Sequence, residues 1–454
     1  MELPKERNPL GEERVGSLLK QFAVPSIIAM LVSSLYNIVD QFFIGQKIKE
    51  LGNAATNISF PLSISCVAIA LLFGIGGASA FNLAMGKGKK EEAVYYLGNA
   101  AVCMFGCGLL LCMITELFLE PMLRFFGSPE EVLGYAMTYT RIVAFGFPFL
   151  IFATGGGHLI RADGAPKFTM LCNLAGAVIN TVLDALFIFG FDWGMAGAAW
   201  ATVIGQVVSF LMAAWYLCHC RTVTIERKHL VIRRKYVGTI SALGAAPCSN
   251  QLAMMAVQIV MNKSLKYYGA RSVYGEAVPI ACVGIITKVN QVFMSFLIGI
   301  SQGLQPIVSF NYGAGKYGRV KEAFRKAIIS CFILSVIAFL AFQFLPRQII
   351  SVFGDGSEEY YRFAINYFRI FLLFTFINFM QPIVSNFLTS IGKPKRGIFL
   401  SLTRQIIFLL PLLLLFPLFT GIDGIVYAGP AADLMAALTS IVMVTAEFRR
   451  SEYK

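Results

Sequence analysis

Apolar runs recur along the whole chain, each of about 20 residues or more, the length of helix that crosses the hydrocarbon core of a bilayer. Short polar stretches separate them. The pattern therefore predicts twelve transmembrane helices. We place these predicted spans near residues 17–45, 53–84, 93–117, 132–154, 168–190, 194–220, 238–266, 276–311, 323–345, 361–390, 397–418 and 422–446.

The sign of the charge alternates between successive connections. The basic ones are the N-terminal tail with Lys5, Arg7, Arg14 and Lys20, then "GKGKK" (86–90), Arg161 with Lys167, the loop 221–236, Lys316 with Arg319 and Lys321, "GKPKR" (392–396), and Arg449, Arg450 and Lys454. The acidic or sparse ones are "SPEE" (128–131), "FDWG" (191–194), "GDGSEE" (354–359) and "GIDG" (421–424). The 46–52 connection, with Lys47 and Lys49, is a small exception. Because loops rich in Lys and Arg stay in the cytoplasm, both termini are predicted to be cytoplasmic.

Composition supports a membrane protein. The chain has 454 residues, of which 57% are hydrophobic and only 14% charged, against about 25% charged in soluble domains. The net charge of +13 is explained by the basic connections, so we expect a lipid bilayer and no nucleic acid as partner. The polar N-terminus leads straight into an apolar run, so we expect no cleavable signal peptide. Ten scattered cysteines without paired CxxC motifs predict helix packing and no zinc site.

The chain also repeats itself at an offset of about 228 residues. "YTRI" (139–142) recurs as "YFRI" (367–370), and "GAPK" (164–167) recurs as "GKPK" (392–395). The sequence therefore predicts an N-lobe of six helices (1–220), a basic loop (221–237) and a homologous C-lobe of six helices (238–454). Two such lobes around a central cavity favour an alternating-access transporter.

An aspartate interrupts the first apolar run, in "SSLYNIVDQFFIG" (33–45). A carboxylate at a bilayer centre costs roughly 2.5–3.5 kcal/mol, so Asp40 needs a compensating role. At a rise of about 1.5 Å per residue, Asp40 and Asp184 each lie roughly 9 Å from the outer ends of their helices, and Thr202 roughly 12 Å. Asn180 shares one helix face with Asp184.

Two carboxylates at one depth repel each other unless a cation or a proton intervenes. Carboxylate, amide and hydroxyl oxygens are ligands for a hard cation. Asp40, Asn180, Asp184 and Thr202 are thus predicted to bind Na⁺ or to take up a proton. The alternative is that each aspartate only bonds to neighbouring helices.

The second half provides an internal comparison. The 228-residue offset aligns Asp184 with Leu412, and Asp40 aligns with Asn262, with Gln258 one turn earlier. Asp433 is the other mid-span acid, and Lys288 is an unusual mid-span cation. We therefore expect the ion site in the first half alone, with Gln258 and Lys288 as cavity residues.

At these residues the chain resembles the multidrug and toxic compound extrusion (MATE) family, part of a wider superfamily of multidrug, oligosaccharidyl-lipid and polysaccharide exporters. The blocks that carry the likeness are Pro25 in span 1, "LYNIVDQFFIG" (35–45), the two "GxPK" turns, "GAAWATVIGQ" (197–206) and "QGLQPIVSFNYGAGK" (302–316). The resemblance implies a cation site in the N-lobe at Asp40, Asn180, Asp184 and Thr202, with Tyr36 as a supporting partner. Acids that other members use in helices 7, 8 and 10 are absent from this sequence.

The resemblance implies an antiporter in a bacterial cytoplasmic membrane that exports organic, often cationic, amphiphilic compounds in exchange for Na⁺ or H⁺. Pro25 would let helix 1 bend. We expect a monomer without enzymatic activity, cofactor or metal beyond the coupling ion, and the neutral oxygens favour Na⁺ modestly. The alternatives are a flippase for lipid-linked sugars, which Lys288 and Arg404 leave open, and, from another class, an intramembrane enzyme or a channel. An enzyme would need a nucleophile with a base, or a metal set, at one depth, and neither is found.

Overall fold

The computed structural model of the protein describes residues 8–272, 277–351 and 358–450, and the regular elements of these residues are helices. This confirms the predicted all-α class. The long helices are α1 (Val15–Ile48), α2 (Leu51–Gly86), α3 (Lys90–Leu117), α4 (Glu130–Ala162), α5 (Pro166–Gly190), α6 (Gly194–Cys218), α7 (Arg234–Gly269), α8 (Ala277–Gly313), α9 (Tyr317–Phe344), α10 (Glu358–Phe371 and, beyond a 42° bend, Thr375–Ser390), α11 (Pro394–Thr420) and α12 (Ile422–Phe448). Helices α1 and α2 follow one another in an unbroken helical run, Val15–Gly86. Shorter helices are Pro9–Glu12, Leu119–Phe125, Pro346–Ser351 and the 3₁₀ turn Arg227–Leu230.

Ten helices among the described residues are long and apolar enough to cross a membrane, or eleven if bent α10 counts as one. Helix α7 forms where span 7 is predicted, but it is not in that set. It carries polar side chains along its length, among them Asn250, Gln251, Gln258, Asn262 and Lys263. A count of twelve spans and the cytoplasmic termini therefore stay predictions. Lys5, Arg7, Lys454 and residues 354–357 of the "GDGSEE" turn lie outside the described residues.

The first helix of each half begins against the other half. Val15, Leu18 and Phe22 of α1 are buried in one cluster with side chains of α8, α9, α10 and α12. Conversely, Tyr236 and Ile240 of α7 are buried with side chains of α2, α3 and α4. The two halves are thus joined by an exchange of helix starts at the end of the molecule that carries the basic turns, which we call the basic end.

Glycines at the basic end let the backbones of the two halves touch. A Cβ atom on Gly244 of α7 would lie 1.7 Å from the carbonyl oxygen of Leu72, and one on Gly76 would lie 2.0 Å from that of Ile240. On the other side, a Cβ atom on Gly303 of α8 would lie 2.6 Å from the nitrogen of Ala23. Small residues allow such close helix packing in membranes. The structure therefore has its basic end closed.

Replacing Gly244 with alanine is expected to separate α2 from α7, because the added methyl group would overlap the backbone oxygen of Leu72. Overpacking of this kind costs about 1–3 kcal/mol, so the purified variant should unfold at a lower temperature than the wild type. Gly238→Ala on the same helix is the matched control, since a Cβ atom there meets nothing within 4 Å. Equal unfolding temperatures for the two variants would contradict the tight contact.

The basic loop between the halves is held on the first half. The Asn99 amide donates to the carbonyl oxygens of His229 and Val231, both at 3.2 Å, and accepts from the backbone N–H of Arg233 at 2.8 Å. Buried Asp163 accepts from the backbone N–H of Arg221 at 2.7 Å. The loop therefore leads into α7 from a fixed position. The boundaries of the two predicted lobes and of the loop stay predictions.

Candidate cation site in the first six helices

The structure brings the four predicted site residues together between α1, α5 and α6. Asp40 is 8% exposed, Asp184 is fully buried, and Asn180 and Thr202 are buried beside them. The carboxyl groups of Asp40 and Asp184 lie within hydrogen-bonding reach of each other. Two buried carboxylates cannot both stay charged at this separation without a proton or a cation between them.

The Asn180 amide links the acidic pair to α6. With its nitrogen turned toward Asp184 it donates to Oδ2 at 3.1 Å, and its oxygen then accepts from the backbone N–H of Thr202, also at 3.1 Å. The Thr202 hydroxyl donates to the carbonyl oxygen of Ala198 at 3.0 Å. That donation leaves the lone pairs of the hydroxyl available as acceptors.

Two carboxylate oxygens of the site are buried without a hydrogen-bond donor among the described residues: Oδ1 of Asp40 and Oδ1 of Asp184. An unsatisfied buried acceptor costs about 1–3 kcal/mol, and more when it is charged. A proton or a hard cation would satisfy both atoms, and carboxylate and hydroxyl oxygens are ligands that fit Na⁺. The described residues contain no group of three or more His, Cys, Asp or Glu side chains able to hold a metal.

Local helix geometry places these groups. A Cβ atom on Gly205 of α6 would lie 2.8 Å from the carbonyl oxygen of Gly176 and 3.0 Å from Cβ of Asn180, so glycine is needed for α5 and α6 to approach. Directly after Asp184, helix α5 widens into a π-helical segment, Ala185–Gly190. Such segments occur often at functional sites.

Two tyrosines complete the surroundings of the acidic pair. Tyr36 lies one turn before Asp40 and is close to both aspartates. Tyr139 of α4 lies close to Thr202 and to both aspartates. The sequence analysis missed Tyr139: it lies in the "YTRI" block, whose only signal was its recurrence in the second half. Next to it, Thr140 hydrogen-bonds Ser59 of α2 at 2.5 Å, which holds α4 in place.

A cavity of about 110 Å³ adjoins the site on the side of the basic end. Asn180, Thr202 and Tyr36 form part of its wall. The other lining residues are Ser33, Leu150, Ala153, Thr154, Asn173, Gly176, Ala177, Gly205, Gln206 and Ser209. Oε1 of Gln206 is buried without a donor among the described residues and lies against Gly146 of α4.

The other predicted residues do not join this site in the contacts described. Pro25 lies within α1. The Gln258 amide donates to Oδ1 of Asn262 at 3.0 Å on the same helix, and Lys288 is exposed on α8. A role for Gln258 or Lys288 in the cavity stays a prediction, as does the cation role of the four site residues.

Asp433 and Arg404 form a buried ion pair in the second half. Nε of Arg404 donates to Oδ1 of Asp433 at 2.5 Å, and the two side chains are 15% and 2% exposed. Arg404 lies in a second π-helical segment, Thr403–Leu409 of α11, whereas Asp433 lies on α12. The charge of Arg404 is therefore engaged within the protein.

A bundle of apolar membrane-crossing helices with a buried acidic pair between them is typical of an integral membrane transporter. The chain belongs to the MatE family: the family's model matches residues 25–186 and again residues 249–415. This confirms the resemblance noted from the sequence. The two matches agree with the internal repeat.

Individual relatives support the assignment along almost the whole chain. The multidrug export protein MepA of Staphylococcus aureus is 23% identical over 429 residues, 94% of this chain and 92% of MepA. The MepA of Staphylococcus saprophyticus is 22% identical over 427 residues, with the same shares. The solved structure of the MATE multidrug transporter DinF-BH is 30% identical, with a TM-score of 0.90 over 100% of this chain and 99% of that one. The protein is accordingly a multi-span MATE transporter of the cytoplasmic membrane.

Proposed function

We propose that this protein exports organic, often cationic, amphiphilic compounds in exchange for Na⁺ or H⁺. The names of its relatives, multidrug export proteins and a multidrug transporter, support the export of drugs. The observation that carries ion coupling is the buried Asp40–Asp184 pair, in which one oxygen of each carboxylate lacks a donor among the described residues.

The geometry suggests how ion entry changes the fold. A cation or proton between Asp40 and Asp184 removes their repulsion, so α1 can pack against α5 and α6. Pro25, inside α1, removes one backbone hydrogen bond and permits a bend between the start of the helix and Asp40. The ion and the exported compound then need only prefer opposite states of the cavity to be coupled.

Efflux of a cationic dye from proteoliposomes tests this proposal. The purified protein is reconstituted, and a Na⁺ gradient and a pH gradient are imposed separately. Efflux under either gradient, but not without one, is expected, and the effective gradient identifies the coupling ion. If neither gradient moves dye through protein of known orientation, the proposal is wrong.

Thr202→Val should separate the two ions. The substitution removes a neutral oxygen, which is a ligand for Na⁺ but has little part in carrying a proton on a carboxylate. We expect the loss of this ligand to cost about as much as the loss of one hydrogen bond. The Na⁺ concentration for half-maximal efflux should therefore rise about tenfold, while efflux driven by a pH gradient should change little. Thr138→Val is the matched control, because Thr138 is exposed on α4 and donates to the carbonyl of Gly134. Equal Na⁺ dependence in both variants would remove Thr202 from the ion site.

The flippase alternative relied on Lys288 and Arg404 as basic groups for a pyrophosphate. Because Arg404 is paired with Asp433, only Lys288 is left to support it. We further expect the protein to act as a monomer and to need no cofactor other than the coupling ion.

A further inference from the structure

The segment that precedes α1 is bound to the opposite half of the molecule. We call residues 8–13, which contain the short helix Pro9–Glu12, the N-terminal latch. Its Leu10 side chain is 4% exposed and lies in the same buried cluster as residues of α8, α10 and α12. Gly11 packs so closely against the second half that a Cβ atom there would lie 2.9 Å from the Phe310 ring.

Three polar side chains at the α8–α9 corner hold the backbone of the latch. Asn311 donates to the carbonyl oxygen of Leu10 at 2.8 Å, and Lys316 donates to that of Gly11 at 2.9 Å. Arg319 donates to the carbonyl oxygens of Leu10 at 3.2 Å and Glu13 at 2.6 Å, and its Nε donates to Oδ1 of Asn311. The charged donors Lys316 and Arg319 make stronger bonds than a neutral donor such as the Asn311 amide.

The first half holds the segment before α7 through a different residue, Asn99 of α3. The "FN" pair at Phe310–Asn311 recurs as Phe81–Asn82 at the end of α2. Nδ2 of Asn82 is buried without an acceptor among the described residues, whereas Asn311 holds the latch. The segments before α1 and α7 are therefore both held by the opposite half, but through residues at different positions of the repeat.

The latch lies where it can resist separation of the halves. It leads directly into α1, which starts in the buried cluster of the second half and whose Ile44 is buried with residues of α4, α5 and α6. Opening the basic end would carry the corner of Asn311 and Arg319 away from the first half, so the latch bonds or the α1 start must yield, or α1 must bend at Pro25. We propose that the N-terminal latch stabilises the state closed at the basic end and thereby sets how often the transporter reopens there. The inference rests on the alternating access of the proposed function.

A distance measurement across the basic end tests the latch without relying on transport. Lys167 in the first half and Gly318 in the second, both exposed, would each be replaced by a spin-labelled cysteine. The distance between the two labels would be measured in nanodiscs by double electron–electron resonance. The wild type is expected to show mainly the short distance. Arg319→Ala and Leu10→Ala should each raise the ratio of separated to closed molecules about tenfold, the effect of losing charge-assisted bonds or a buried contact.

Arg325→Ala is the matched control, because Arg325 lies exposed on the same helix and makes no described contact with the latch. It should leave the distances unchanged. The proposal is overturned if both latch variants keep the wild-type distances, or if Arg325→Ala shifts them equally. If the wild type moves no dye but Arg319→Ala still changes the distances, the latch proposal stands and the proposed export function is wrong.

Discussion

Asp40→Asn is expected to slow dye efflux driven by an ion gradient strongly. The amide keeps the size of the side chain but removes the charge that makes the Asp40–Asp184 pair take up a cation or a proton. Coupling free energies between two sites usually correspond to factors of about 5 to 150, so the driven rate should fall by a factor in this range. Binding of the dye to the protein, measured separately without a gradient, should survive.

Asp423→Asn is the control for this experiment. It makes the same substitution, aspartate to asparagine, at an exposed position in the first turn of α12. It should transport like the wild type. Should Asp40→Asn transport as well as Asp423→Asn under both gradients, Asp40 would be a structural residue, and the ion-coupling proposal would lose its main support.

Asp433→Asn is expected to give the largest loss of stability. It leaves the Arg404 guanidinium buried without its carboxylate, and breaking a buried ion pair on one side typically costs about 3–5 kcal/mol. The midpoint of unfolding of the purified variant, in heat or denaturant, should fall well below that of the wild type and of Asp423→Asn.

The double variant Arg404→Leu with Asp433→Leu separates charge from packing. Replacing both members of a buried pair by apolar side chains is often close to neutral, so the double variant should recover most of the stability lost in Asp433→Asn. If it is as unstable as the single variant, the two residues stabilise the fold through something other than their pairing. Dye efflux by a stable double variant would further show that Arg404 is dispensable for transport.

Much of the architecture follows from local properties of the chain. The length of an apolar run decides whether a helix can cross a bilayer, so the helices near residues 17–45, 168–190 and 422–446 were predictable without knowing their neighbours. Helix 7 shows the limit of this reasoning. It forms as Arg234–Gly269, but it carries polar side chains along its length. Its own hydrophobicity therefore does not decide whether it crosses the membrane, and its neighbours must be known.

The acidic site was also largely predictable, because depth along a straight helix can be counted in residues. That count brought Asp40, Asn180, Asp184 and Thr202 to one level. It did not reveal Tyr139, since which side chains point at a site depends on the rotation of each helix and on its neighbours. The π-helical segments after Asp184 and around Arg404 shift that rotation locally, and no pattern in the sequence predicted these segments.

The sequence alone thus determined that this is a helical membrane protein with a repeated half and an acidic site in its first half, because apolar length, charge bias and helical spacing are read along the chain. Tertiary structure alone decided the partner of Asp433, the neighbours of Thr202, the glycine contacts between α2 and α7, and the attachment of the N-terminal latch to Arg319. Each of these joins residues far apart in the chain. Such contacts depend on which helix faces meet, and that is fixed only when all the helices pack together.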